Sequence, residues 1–138
     1  MTSLLGKRSS MVLFHNEIGH QSHKVRIVLS EKGITADLEA LDPENLPKEI
    51  LEVNPKGFLP LLIDRELALY KSQLIVEYLD ERFPHPPLLP VYPVARAQTR
   101  LILHRIEEEW TYHVDILEDA SSTTCLLYTS DAADEYSR

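Results

Sequence analysis

The stretch "NPKGFLPLLIDRELALYKSQLIVEYLDERF", Asn54 to Phe83, contains two apolar runs, a serine and then a change of period. "FLPLLI" and "LALY" are short and joined through "DREL", a pattern that suits a β-hairpin with Pro60 at the start of its first strand. From Ser72 the spacing becomes helical. Ser72 reads as the N-cap, and Leu74, Ile75, Tyr78 and Leu79 share one face.

Upstream the same alternation of elements repeats. "MVLFH", Met11 to His15, is apolar without a helical period and reads as a buried strand. "SHKVRIVLSEKG", Ser22 to Gly33, turns Val25, Val28 and Leu29 to one side with Lys32 opposite. Ser22 is placed as an N-cap, and Gly33 stands where a left-handed C-terminal cap is wanted. "ITADLEAL" alternates Ile34, Ala36, Leu38 and Ala40 as a half-buried strand would, and "LPKEILEVNP" is a short helix with Pro47 in its first turn. Residues 10–83 therefore read as an α/β domain in the order βαβαββα.

Downstream, "RFPHPPLLPVYPVAR", Arg82 to Arg96, holds five of the nine prolines of the 138-residue chain. Proline lacks an N–H and fixes φ, so residues 84–93 are expected to form an extended, stiff linker. Two uses suit different parts of it. Leu88 and Leu89 would anchor a junction between domains, while Pro84, His85 and Pro86 with Tyr92 would form an exposed ledge that loses little entropy when a partner docks. "VARAQTRLILHRIEEEWTYHVDIL" then places Ile102, Ile106, Trp110, His113 or Val114, and Leu117 at helical spacing, so a long helix starts near Val94. It cannot bury its own apolar face, and residues 94–124 read as the first helix of an all-α domain cut short. Cys125 to Asp134 match one reading frame through a transposon-type sequencing adapter, so residues 125–138 are expected to be a non-native tail.

Composition narrows the function. A formal charge of −8, from 22 acids against 14 bases, argues against direct nucleic-acid binding, which needs clustered Lys and Arg. One cysteine fits a reducing compartment. The apolar runs are far shorter than the roughly 20 residues of a membrane span, and "MTSLLGKRSS" lacks a secretory h-region. The expectation is a cytoplasmic protein without membrane contact. His15, His20 and His23 lack acidic or thiol partners at metal-site spacing and read as a solvated loop, so no metal is expected. Glu107 to Glu109 read as the wet side of a helix, and Arg26 as a residue of the interdomain interface.

The βαβαββα order, "NPKGFLPLL" with its Asn-Pro and internal proline, Ser72 and the proline-rich connector together resemble the glutathione transferase superfamily. That resemblance implies a thioredoxin-like first domain and an all-α second one. It also implies a cis-proline at Pro60 that aims the Leu59 backbone into a cleft, and a Ser72 helix end that favours a carboxylate such as glutathione's γ-glutamyl end. "QSHKVRIVLSEKG", "EYLDERFPHPPLLPVYPVAR" and "HRIEEEW" are similar to a narrower branch, bacterial regulators associated with RNA polymerase. In that branch the Pro-His-Pro surface is implicated in transcription activation.

Two departures bear on chemistry. The loop "HNEIGHQS" offers Gly19 or His20 where transferases carry a thiol-activating Tyr, Ser or Cys, which leaves Ser22 as a weak catalytic candidate. Lys71 stands where the family usually places an acid that pairs with the ligand's ammonium, so it would repel glutathione. Leu59, Pro60, Lys71 and Ser72 thus outline a vestigial glutathione-type cleft, and no cofactor is expected. The expected function is non-enzymatic regulation by contact with RNA polymerase holoenzyme through Pro84, His85, Pro86 and Tyr92, with a homodimeric full-length parent. The rival expectation is a glutathione transferase acting on electrophiles.

Overall fold

The computed structural model describes residues 10–120. Its contacts divide the chain into two units, one up to Leu88 and one from Leu89.

The first unit runs β1 (Val12–His15), α1 (His20–Glu31), β2 (Asp37–Ala40), α2 (Lys48–Val53), β3 (Leu61–Asp64), β4 (Leu67–Tyr70) and α3 (Ser72–Arg82). The strands form one mixed sheet in the order β2-β1-β3-β4. β2 is parallel to β1, and β3 is antiparallel to both β1 and β4. This is the expected βαβαββα order and the thioredoxin-like arrangement.

The two central strands are buried on both faces, which is why "MVLFH" and "LLI" carry no polar alternation. Met11, Leu13 and Leu62 pack with Val25, Val28 and Leu29 of α1 and Ile75 and Leu79 of α3. On the other face Val12, Phe14, Leu61 and Ile63 pack with Ile50 of α2. Each such side chain contributes about 1.5–3 kcal/mol of burial. Tyr78 donates to Asp64 Oδ2 at 2.5 Å and fastens α3 to the hairpin.

Helices α1 and α3 lie side by side and point the same way, because β1 and β4 are both antiparallel to β3 and each strand feeds its helix from the same end of the sheet. Their first turns meet at one end and their last turns at the other. At 1.5 Å per residue the two ends are roughly 16 Å apart.

Several local readings are corrected. β2 is an edge strand in which Leu38 is 51% exposed, so the alternation beginning at Ile34 and Ala36 ends there. Leu74 is also exposed and leaves α3's buried face to Ile75 and Leu79. α1 starts after Gly19, not Ser22: Gly19 is extended and its carbonyl accepts from the His23 N–H. The expected cap at the other end is present, with Gly33 at φ +63 and its N–H donated to the Ser30 carbonyl.

The second unit contains α4 (Pro93–Ile106), a π-helical turn (Glu107–Thr111) and α5 (Tyr112–Ala120). Pro93 takes the first helical position, where a missing N–H costs nothing. No residue of α4 or of the π turn is buried. Ile102 and Trp110 of the expected apolar face are 58% and 67% exposed. The π turn, which the spacing did not announce, falls on Glu107–Glu109.

Candidate functional site

The first-turn end of the helix pair holds the cleft residues. Leu59–Pro60 is cis, and Pro60 leads into β3 against the end of β1. The loop before it is held from inside: the fully buried Asn54 donates from Nδ2 to the Phe58 carbonyl at 2.6 Å. Gly57 sits at φ +68, a left-handed conformation that favours glycine, and a Cβ there would come within 2.9 Å of Leu46 Cδ1.

Ser72 is the first residue of α3 and does not cap it. Its Oγ donates to Gln21 Oε1 of α1, a cross-link between the two first turns. The N-cap is Lys71, at φ +75 with its carbonyl accepting from the Ile75 N–H. Lys71 is exposed, and its Nζ lies 4.5 Å from the centroid of the Phe58 ring, a cation–π contact.

Ser22 lies inside α1, is 1% exposed and accepts the Asn16 N–H at 3.0 Å. Its hydroxyl braces the loop after β1 rather than opening a helix. Arg26 completes that brace by donating to the Asn16 carbonyl at 2.9 Å and the Glu17 carbonyl at 3.3 Å. These contacts all lie within the first unit. His15 is not in a solvated loop. It ends β1, is 8% exposed and accepts from Arg26 Nη1 at Nδ1, 2.8 Å away. Burial and then the Arg26 charge lower its pKa below 6.5 and keep the imidazole neutral. A groove of ≈370 Å³ opens between this loop, at Asn16 to Ile18, and the loop after β2, at Leu41 to Pro43.

The last-turn end holds the first part of the connector. Pro84, His85 and Pro86 are all exposed, and the His85–Pro86 bond is cis. Behind them lies Lys32, whose side chain is fully buried. Its Nζ donates to the Phe83 carbonyl at 2.5 Å, the Pro86 carbonyl at 2.8 Å and Asp80 Oδ1 at 2.8 Å. The same Asp80 oxygen accepts the Leu88 N–H at 3.0 Å. Lys32 was expected on α1's outer side; it lies instead under the connector, and it and Asp80 are the residues that sequence reasoning missed. Leu88 is anchored through its amide, while its side chain is 39% exposed. Tyr92, 79% exposed, belongs to the second unit.

Residues 13–87 match the family model described as glutathione S-transferase, N-terminal domain. The chain belongs to the glutathione S-transferase family. It is 54% identical over 110 residues to a stringent starvation protein A homolog of Pasteurella multocida, covering 80% of this chain and 52% of that one. A homolog of the same name from Coxiella burnetii is 50% identical over 115 residues, 83% of this chain and 55% of its own. This transferase-family chain therefore spans about half the length of the curated relatives it matches. The narrower branch to which the connector pointed is that of these stringent starvation protein A homologs.

Solved structures agree on the fold. The β-etherase LigF of Sphingobium sp. strain SYK-6 superposes with a TM-score of 0.74 at 27% identity, over 83% of this chain and 49% of the other. Glutathione transferase Omega 3C of Trametes versicolor gives 0.70 at 28% identity, over 74% and 45%. Among the described residues no helix is long and apolar enough to cross a membrane. The proposed adapter-derived tail, residues 125–138 with Cys125, lies outside the described residues.

Proposed function

We propose that this chain is part of a cytoplasmic, homodimeric transcription regulator that associates with RNA polymerase holoenzyme in starvation and acts by protein contact through Pro84, His85, Pro86 and Tyr92. The observation that carries the reading is the exposure of the whole Pro-His-Pro segment on a connector held from behind. A stiff surface that is already ordered pays little entropy on docking. The names of these relatives support a role in starvation. A chain of net charge −8 favours protein contact over DNA contact.

Three features weigh against glutathione conjugation. Ser22 is shut inside α1. Lys71 presents a cation where the family resemblance calls for a carboxylate, and Ser72 already donates to Gln21. The test is capture of purified RNA polymerase holoenzyme by the full-length protein. Replacing Pro84, His85 and Pro86 by Ala is expected to abolish capture, and undiminished recovery would exclude this surface. Sedimentation of the full-length protein checks the dimer.

A further inference from the structure

From the packing beneath the connector we infer that Lys32 and Asp80 are positioning residues of the partner-binding ledge: they hold the Pro-His-Pro segment in the one shape it presents. The inference rests on the reading of that ledge as the partner surface and adds how the surface is made.

A proline-rich segment poses a specific hydrogen-bonding problem. Pro84, Pro86 and Pro87 have carbonyls but no N–H, so the segment cannot be fixed by an ordinary two-way ladder of main-chain bonds. A group that only donates solves it. A lysine ammonium has three N–H donors and no acceptor, and here the three partners of Lys32 are the Phe83 carbonyl, the Pro86 carbonyl and Asp80. The two carbonyls bracket Pro84, His85 and Pro86. Asp80 neutralises the buried ammonium and, on the same oxygen, accepts the Leu88 N–H, the first amide after the prolines. Acceptors are thus met by the lysine and the next donor by the aspartate.

Stability alone does not account for such a pair. Burying two charges is costly, and an apolar pair of similar volume is often as stable or more so. What an apolar pair cannot do is bind the two carbonyls and the amide. Fold stability and ledge geometry should therefore come apart when both charges are replaced together.

The experiment uses the full-length protein, with purified RNA polymerase holoenzyme as the probe, and compares wild type, Pro84/His85/Pro86→Ala and the paired Lys32→Met/Asp80→Leu. The paired variant should keep its thermal transition and lose affinity by about thirtyfold, the lower edge of an interface hot spot. Its His85 side-chain NMR cross-peak should move while those of His104 and His113 stay. A paired variant that binds like wild type, while the triple-Ala variant does not bind, overturns the inference and leaves the reading of the ledge intact. A triple-Ala variant that binds like wild type overturns the reading instead. The inference is then judged on the His85 cross-peak, which must move in the paired variant or the inference fails too. A second variant, Leu88→Pro, removes the amide that Asp80 holds and keeps the segment extended, and Leu88→Ala, which keeps the amide, controls for the lost side chain. Leu88→Pro should weaken binding several-fold relative to Leu88→Ala, and unchanged binding would again overturn the inference.

Discussion

The two ends of the α1–α3 pair are tied together by different chemistry. At the first-turn end a neutral pair joins the helices, with Ser72 donating to Gln21, while nearby Ser22 accepts from Asn16 and ties α1 to the loop before it. At the last-turn end a buried ion pair, Lys32 with Asp80, joins them and also grips the connector. A neutral cross-link can be lost at modest cost. A buried charge deprived of its partner cannot, so the end that bears the ledge is the less forgiving of the two.

That contrast sets the order of expected effects. Asp80→Ala leaves the Lys32 ammonium buried without its counter-charge and should destabilise the protein by about 3–5 kcal/mol in urea unfolding. Ser72→Ala removes one hydrogen bond at the other end and should cost about 1 kcal/mol in the same measurement. Equal losses at the two ends would remove the distinction.

The cleft end carries instead a dependence on pH. The folded-state pKa of His15 lies below the unfolded value of 6.5, because of burial and then the Arg26 charge, with Glu17 opposing. As pH falls, the unfolded chain therefore takes up the proton before the folded one does. Stability contributed by neutral His15 is present above about pH 6.5 and declines as pH falls through that value toward the folded pKa. Urea unfolding between pH 8 and pH 5 should show this decline in wild type. The decline should be shallower in His15→Gln, which can still accept from Arg26 but does not titrate.

The smallest effect is expected at Lys71. Its φ of +75 is strained for a residue with a Cβ, while its cation–π contact with Phe58 offsets part of that cost. Lys71→Gly relieves the first and forfeits the second, so a gain of less than about 1 kcal/mol is expected. A loss would mean that the Phe58 contact outweighs the strain.

The same contrast explains what was legible in the sequence. The order of elements, the cis-proline at Pro60, the left-handed Gly33 and the two-faced burial of the central strands follow from local signals: apolar period, glycine, proline and the family motif. The connector's exposed Pro-His-Pro was legible for the same reason. The grip beneath it was not. Lys32 sits at the end of a helix where a lysine ordinarily meets solvent, and its three partners, at residues 80–86, come about fifty positions later in the sequence. Ser22 and Ser72 were misread by the converse error: serine near a helix start signals a cap, yet both hydroxyls are used between elements. His15 falls in the same class, since its pairing with Arg26 depends on α1 folding back over the end of β1.

The central claim, that the ledge end and not the cleft end meets the partner, is tested most directly by amide hydrogen exchange on the full-length protein with and without RNA polymerase holoenzyme. Slowed exchange in peptides covering residues 81–92, with unchanged exchange at residues 16–22 and 58–72, is the predicted result. Protection confined to residues 16–22 and 58–72 would contradict it.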